Sequence, residues 1–187
     1  DTDRSRGLGD VYKRQMQTLK AMQMAMQNRL LEQKAFVDAH TGLPNKNACN
    51  ELLNKKDIIT GSTACIMFDL NNLKIINDTK GHSKGDQLIL NFARFLRNII
   101  PKEAFVGRYG GDEFMVVIYN TSKTEIEDIL KQLSREKDRL NSSGNNMPID
   151  YACGWAISDA DSECTIQMLL DLSLIHISEP TRPISIS

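Results

Sequence analysis

Residues 108–119 read RYGGDEFMVVIY and place two glycines and two acids directly before an apolar run. A Gly-Gly pair between strand-like segments predicts a hairpin turn, because both residues can adopt positive φ. The run from Phe114 to Ile118 predicts a buried strand, and Asp112 and Glu113 stand at its start. Carboxylates at the point where a sheet becomes dry indicate a chemical role.

A second apolar run, TACIMFDL at residues 63–70, also predicts a strand that ends in an acid, Asp69. If this strand lies beside the hairpin, Asp69 and Asp112 converge, and two close carboxylates repel each other. A divalent cation relieves that repulsion, and hard oxygen ligands suit Mg²⁺, which usually also binds substrate phosphates. Gly110 and Gly111 lack Cβ and would let a triphosphate approach the backbone. The two acids therefore predict a magnesium-dependent nucleotide site.

The two ends of the chain have a related coding pattern. Residues 5–15 read SRGLGDVYKRQ and residues 172–182 read LSLIHISEPTR. A single DNA sequence can encode the second segment on one strand and the first on the other, residue for residue. We interpret both as read-through of a sequencing-library adapter and predict that residues 1–15 and 172–187 are adapter-derived, with the natural protein continuing beyond both ends. The alternative is a genuine N-terminal loop and a Pro-rich tail.

Composition excludes several classes of protein. The chain has 23 basic and 24 acidic residues, a near-neutral balance that argues against nucleic-acid binding by bulk charge. The four cysteines lack metal-type spacing, which favours reduced thiols in a cytoplasmic protein. No apolar stretch reaches the roughly 20 residues that a membrane span needs. We therefore expect one cytoplasmic domain, and a membrane anchor in the parent protein stays open.

Residues 16–37 contain no Gly or Pro and are rich in strong helix formers, which predicts a helix. Its apolar positions recur at mixed three- and four-residue spacing, with Gln33 as the exception: Leu19, Met22, Met26, Leu30 and Val37. Two interpretations stay open. The helix packs on its own domain, or it forms a two-chain coiled coil that carries a signal from an upstream sensor domain.

Residues 38–171 alternate between strand and helix patterns. We predict strands at 63–70, 104–109, 113–119 and 149–157, with helices at 71–81, 85–100 and 124–140 between them. A last helix begins within 163–171 and is cut off there. This order predicts an α+β domain with a central sheet and helices on one face.

Three segments carry a resemblance to a known family. DAHTGLPN at 38–45, FDLNNLKIINDTKGHSKGD at 68–86 and RYGGDEF at 108–114 resemble, in order and spacing, the GGDEF family of diguanylate cyclases. The resemblance covers nearly all of residues 38–171. It implies a palm-like sheet of the nucleotidyl cyclase and ferredoxin-like type, and the condensation of two GTP molecules into cyclic di-GMP with release of pyrophosphate.

The resemblance also implies the roles of the acidic residues. Asp69, Asp112 and the carbonyl of Leu70 would bind two Mg²⁺ ions per active site, or Mn²⁺ in their place. Asp112 would in addition help to remove the proton of the attacking 3′-hydroxyl. Glu113 would assist at the metal site.

The remaining implied site residues bind the nucleotide. Asn77 and Asp86 would bind the guanine edge, whose N1–H and amino group form a donor pair that adenine lacks. Lys74 would neutralise phosphate charge during transfer, and Gly110 and Gly111 would let the triphosphate approach the backbone. Simpler interpretations exist, since Asp86 could cap a helix that begins there and Lys74 could be an exposed helix lysine.

The chain departs from the family pattern at several positions. His40 replaces a usual leucine, which we interpret as a mild packing change, and Asn71 stands where many members have a second acid. In many diguanylate cyclases the product binds an Arg-x-x-Asp motif, and Pro101 and Ala104 occupy those two positions here. We therefore predict that high-affinity product inhibition is absent.

Two functions from different classes stay open. The first is an active cyclase that works as a homodimer, through the N-terminal helix and two facing half-sites, under control of an upstream sensor domain. The second is a GTP-binding GGDEF module that regulates a partner domain without turnover. The complete set of acids, Lys74 and the guanine-binding pair favours the first. Because the last helix is cut off, we expect the truncated chain itself to turn GTP over poorly.

Overall fold

The computed structural model describes residues 2–55, 58–59, 61–144, 147–159, 163–178 and 184–186. The chain divides into two units, the second of which begins at Asp38. The first unit is one helix, α1 (Thr2–Phe36). This helix contains the predicted helical segment up to Phe36 and begins 14 residues earlier than predicted. The apolar side chains of the predicted stripe, such as Leu19, Met22 and Met26, are exposed.

The second unit contains five helices and a five-stranded sheet within the described residues. In chain order these are α2 (Lys46–Leu53), β1 (Thr63–Leu70), α3 (Leu73–Lys80), α4 (His82–Ile99), β2 (Phe105–Arg108), β3 (Glu113–Tyr119), α5 (Lys123–Ser142), β4 (Tyr151–Ser158), α6 (Ile166–Ser178) and β5 (Ile184–Ile186). The strand order is β2-β3-β1-β4-β5. The α+β architecture with a central sheet is confirmed.

Strand β1 lies at the centre and pairs antiparallel with both β3 and β4. Its last residues set the position of the predicted acids, because Asp69 stands directly opposite Glu113 of β3. On the other side Leu70 stands opposite Tyr151 of β4. The end of β1 and the start of β3 therefore meet at one edge of the sheet, as predicted.

Helices cover both faces of this sheet, so the expectation of helices on one face is wrong. Alternate side chains of a strand point to opposite faces. The first apolar cluster joins β1 to α4 and α5 through Ile66, Phe68, Phe92 and Ile126. The second joins β1 to α2 and α6 through Cys49, Met67 and Leu169. Nearly every residue of β1 is buried, a pattern typical of a sheet that is covered on both sides.

Two helices differ from the predicted boundaries. Helix α4 begins at His82 rather than at Gly85, and its N-cap is Gly81, which has no side chain to mark the start. Helix α6 extends from Ile166 to Ser178, past the predicted cut at residue 171. Parts of the two predicted adapter segments (residues 1, 179–183 and 187) lie outside the described residues, and the adapter origin stays a prediction. Within the described chain, no helix combines the length and apolar character needed to cross a bilayer.

Candidate active site

Asp69 and Asp112 come together at the end of β1. The backbone N–H of Leu70 donates a hydrogen bond to the carbonyl of Asp112, at 2.9 Å, and ties the strand end to the hairpin. Burial raises the pKa of Asp69, and the negative charge of Asp112 raises it further. The predicted convergence of two carboxylates is therefore present, and so is their mutual repulsion.

The Leu70 carbonyl faces the same side as Asp112. The N–H of Asn71 donates to the carbonyl of Asp150, on the β4 side, at 2.9 Å. A trans peptide is planar, and its N–H and C=O groups point in opposite directions. No cis peptide bond occurs among the described residues. The carbonyl of the Leu70–Asn71 peptide therefore points away from β4 and toward the hairpin.

The hairpin is a four-residue turn, Tyr109 to Asp112, rather than a two-residue turn. The N–H groups of Tyr109 and Gly110 donate to the carbonyl of Glu113, at 2.8 and 3.2 Å. Neither Gly110 nor Gly111 has positive φ, so the prediction that both adopt positive φ in a tight turn is wrong. A Cβ at Gly110 would overlap the Glu113 carboxylate, whereas a Cβ at Gly111 would enter open space. Gly110 lets Glu113 fold over the turn, and Gly111 leaves the backbone accessible.

Arg108 clamps the outer side of this turn. Its Nε and Nη2 donate to the Gly111 carbonyl at 3.3 and 2.8 Å, and its Nη1 donates to the Asp38 carboxylate at 3.1 and 3.3 Å. Asp38 also accepts bonds from the N–H and hydroxyl of Thr41, at 2.8 and 2.7 Å. No role for Arg108 or Asp38 was predicted from the sequence, although both lie in the quoted motifs.

The hydrogen bonds and the ion pair of Asp38 favour its negatively charged form. Burial by itself would raise the pKa of Asp38, but the Thr41 bonds and the charge of Arg108 outweigh it and lower the pKa. Both side chains of the ion pair are mostly buried, with 17% of Arg108 and 20% of Asp38 exposed. The clamp is therefore a partly desolvated, charge-assisted contact.

Asn77 and Asp86 lie in one corner between α3 and α4. A Cβ at Gly85 would overlap Oδ1 of Asn77 in its present position, so glycine at 85 leaves room for this side chain at the start of α4. Asp86 is the next residue, is exposed, and lies inside α4. The capping interpretation of Asp86 is wrong, because the helix begins four residues earlier. Sequence reasoning did not identify the part played by Gly85.

His40 contacts the same corner. Its Nε2 lies 2.7 Å from the carbonyl of Asp86, and since a carbonyl only accepts, the ring N–H donates. The residue interpreted as a mild packing change therefore makes a directed hydrogen bond to the residue predicted to bind guanine. The bond joins the turn at residues 38–45 to the first part of α4.

Lys74 is exposed in the first turn of α3, after the strand end that carries Asp69. Among the described residues, no three His, Cys, Asp or Glu side chains are grouped so that they could hold a metal ion. The donor set at the sheet edge therefore consists of two carboxylates and one carbonyl. Mg²⁺ is typically bound by one or two carboxylates together with substrate phosphates, so this set fits the ion.

Known proteins resemble this chain over most of its length. The family described as diguanylate cyclase, GGDEF domain, matches residues 35–174. Signaling protein YkoW of Bacillus subtilis is 28% identical over 74% of this chain and 18% of its own length. Cyclic di-GMP phosphodiesterase PdeB of Shewanella oneidensis is 29% identical over 79% of this chain and 19% of its own. Diguanylate cyclase DgcN of Escherichia coli is 30% identical over 80% and 38%, respectively. The chain thus spans less than half of each of these relatives.

Solved structures share the fold. The coiled coil and GGDEF domain of DgcB from Caulobacter crescentus, in complex with c-di-GMP, gives a TM-score of 0.74 at 17% identity, covering 90% of this chain and 95% of that one. The FimX GGDEF domain from Pseudomonas aeruginosa gives 0.65 at 18% identity, covering 80% and 98%. The palm-like sheet of the nucleotidyl cyclase type is confirmed. Of the relatives above, PdeB is named as a cyclic di-GMP phosphodiesterase and DgcN as a diguanylate cyclase. Because the family match covers well over half of the chain, this protein belongs to the GGDEF domain family.

Proposed function

We propose that this chain is the catalytic domain of a diguanylate cyclase, which condenses two GTP molecules into cyclic di-GMP and releases pyrophosphate. The observation that carries this proposal is the approach of Asp69 and Asp112 where β1 meets the hairpin, with the Asp112 charge raising the pKa of Asp69. An uncompensated pair of this kind in a half-buried position is costly, and such pairs are common at functional sites.

Three oxygen donors would hold Mg²⁺ here: the carboxylates of Asp69 and Asp112 and the carbonyl of Leu70. Two Mg²⁺ ions bound here would supply positive charge that stabilises the negative charge on the transferring phosphate and on the attacking and leaving oxygens. The Asp112 carboxylate would accept the proton of the 3′-hydroxyl. The exposed ammonium of Lys74 would bind phosphate oxygens at the start of α3.

The corner between α3 and α4 would select the base. The Asp86 carboxylate can accept two hydrogen bonds from the N1–H and amino group of guanine, and the Asn77 amide can bond a further edge atom. Adenine has no such donor pair and would leave the carboxylate unpaired. Guanine would therefore gain two hydrogen bonds that adenine cannot make, so the site would prefer GTP to ATP.

The reaction would need two copies of the chain. One set of these residues binds one GTP, so the attacking 3′-hydroxyl and the α-phosphate must come from two facing sites. We place the contact between copies at these facing half-sites and at α1, whose apolar side chains Leu19, Met22 and Met26 are exposed. A sensor domain in the parent protein would control this pairing.

A GTP-binding module without turnover is the second candidate. The observation that favours it is that relatives named as cyclic di-GMP phosphodiesterases, PdeB of Shewanella oneidensis among them, match most of this chain. In this candidate Asn77 and Asp86 would still bind guanine, but no pyrophosphate would form.

Pyrophosphate release from GTP and Mg²⁺ tests the proposal and separates the candidates. We expect Asp69→Ala and Asp112→Ala each to lower the rate at least about 100-fold with little change in unfolding temperature, because each removes a metal ligand and no core packing. Asp128→Ala is the matched control, since it removes an exposed carboxylate from α5. GTP binding without pyrophosphate release by the unsubstituted chain would support the second candidate. Near-normal turnover by Asp112→Ala would refute the assignment of the acids.

A further inference from the structure

We infer that Asp150 is a positioning residue for the Leu70 carbonyl, acting through Asn71. The inference rests on the proposed function, because it concerns the carbonyl that would bind Mg²⁺. It also explains why this chain carries an amide at position 71.

Asp150 holds Asn71 by two hydrogen bonds. The Asn71 backbone N–H donates to the Asp150 carbonyl, and the Asn71 side-chain amide donates to Oδ2 of the same residue, both at 2.9 Å. These bonds extend the pairing of β1 with β4 by one residue beyond Leu70 and Tyr151. Both the backbone and the side chain of Asn71, the first residue after β1, are therefore bonded to Asp150.

The main chain is held by a hydrogen bond on each side of Leu70. Toward the hairpin, the Leu70 N–H, which belongs to the preceding Asp69–Leu70 peptide, donates to the Asp112 carbonyl at 2.9 Å. Toward β4, the N–H of the Leu70–Asn71 peptide donates to the Asp150 carbonyl. Since the peptide is planar, fixing that N–H fixes the direction of the Leu70 carbonyl. The side-chain bond between Asn71 and Asp150 reinforces this backbone bond, so the pair helps to set the orientation of a proposed metal ligand.

The other carboxylate oxygen of Asp150 faces helix α5. Nζ of Lys137 lies 3.8 Å from Oδ1, and the same ammonium lies over the Tyr151 ring, 5.4 Å from its centre. Only 25% of the Lys137 side chain is exposed, compared with 51% of Asp150. Lys137 thus restrains the acid whose remaining oxygen binds Asn71.

The amide at position 71 and the acid at position 150 are chemically matched. An Asn side chain donates to a carboxylate, whereas an acid at 71 would place a second carboxylate at hydrogen-bond distance from Asp150 and repel it. Groups that orient a metal ligand typically change metal affinity 10- to 100-fold when they are removed. The bond between Asn71 and Asp150 is exposed to solvent, so we expect a change in metal affinity at the lower end of this range, about tenfold.

The test compares the affinity of the full chain for a non-hydrolysable GTP analogue with and without Mn²⁺. The dissociation constant without Mn²⁺, divided by the dissociation constant with Mn²⁺, measures the contribution of the metal to binding. We expect Asp150→Ala and Asn71→Ala each to lower this ratio about tenfold, while the affinity without metal stays the same because Asn77 and Asp86 are unchanged.

The double variant should lower the ratio no further than either single variant does, since each substitution removes the same contact. Asp150→Asn should keep the ratio within about twofold of that of the unsubstituted chain, because the amide oxygen of the new side chain still accepts a hydrogen bond from Asn71. Asp128→Ala is the control.

Two results would overturn the inference separately from the proposed function. The first is an Asp150→Ala chain with a lower unfolding temperature but an unchanged ratio, which would make the contact only structural. The second is a double variant whose effects multiply, which would show that the two residues act independently. If the unsubstituted chain gains no affinity from Mn²⁺, the proposed function fails and the inference fails with it.

Discussion

Asp69 lies in a position where its charge is unfavourable. Burial raises its pKa first, and the charge of Asp112 raises it further. The Asp69 carboxyl group therefore holds its proton more tightly in the folded, metal-free chain than in the unfolded chain. Ionising Asp69 costs stability above its folded pKa, and the cost disappears as the pH falls below the usual value of about 3.9.

Asp112→Asn should lower the pKa of Asp69 toward its usual value, because it removes the neighbouring charge and leaves the burial. Carbon-detected NMR titration of the metal-free chain measures this pKa directly. Asp128→Asn, a change of the same chemistry on α5, should leave it unchanged. A pKa of Asp69 that does not respond to Asp112→Asn would mean that the two acids are not coupled.

Local sequence patterns predicted the approach of Asp69 and Asp112, because each acid follows or precedes an apolar strand and adjacent strands align such ends. The clamp between Arg108 and Asp38 could not be predicted in this way, since its partners lie 70 residues apart in the chain. Only the closed fold brings them together. The conformation of Gly110 was wrongly predicted because the Gly-Gly pattern does not distinguish a two-residue turn from a four-residue turn.

At the level of elements, the hairpin depends on Arg108. Arg108→Ala should lower the free energy of unfolding by about 2 kcal/mol at pH 7, the usual effect of losing hydrogen bonds to a charged group. The pKa of Asp38 is lowered, so its stabilising contact is present above about pH 4 and is lost as the pH falls through the folded pKa. Urea unfolding at pH 7 and at pH 3 should therefore show a smaller effect of the substitution at pH 3.

The effect at pH 3 should not fall to zero, because Arg108 also donates to the Gly111 carbonyl, which does not titrate. Lys131→Ala, which breaks an exposed ion pair of α5, is the control and should cost less than about 1 kcal/mol. An Arg108→Ala penalty that is equal at both pH values would show that Asp38 contributes nothing.

The segment between α4 and β2 bears on product inhibition. Pro101 and Ala104 lie here, and the Ala104 N–H donates to the Pro101 carbonyl at 3.1 Å in a tight turn. Neither side chain can bind guanine or phosphate through charge. We predict that added cyclic di-GMP will not inhibit initial rates at sub-micromolar concentration, with binding followed by calorimetry. Tight inhibition that is abolished by substitution of Lys102 and Glu103 would contradict this.

Most elements were predicted within two residues, because their apolar runs are bounded by polar turns. Strands β1 and β3 match the predicted strands in every residue. The start of α4 was missed because Gly81 is a cap without a side chain. The second covered face was missed because α2 is short and only the start of α6 lies within residues 38–171, although the unbroken apolar character of β1 indicates burial on both sides.

The proposed reaction joins two nucleotides held by two copies of the chain. The second unit contains the acid pair and the corner that we propose binds the base, and α1 in the first unit has exposed apolar side chains. The approach of the acids and the helical character of α1 were predicted from the sequence, because the motifs and the helix lie in separate segments. The sequence could not decide what the helix packs against, since an imperfect apolar stripe is typical of both interpretations.

The ratio of products distinguishes cyclic di-GMP synthesis from GTP hydrolysis and from GTP binding without turnover. The intact chain is incubated with GTP and Mg²⁺, and cyclic di-GMP, pyrophosphate, GDP and phosphate are quantified in the same sample by mass spectrometry and enzymatic assay. The proposed function predicts one cyclic di-GMP for every two pyrophosphates, a rate per chain that rises with chain concentration, and no product from ATP. GDP with inorganic phosphate, or GTP bound without any product, would contradict it.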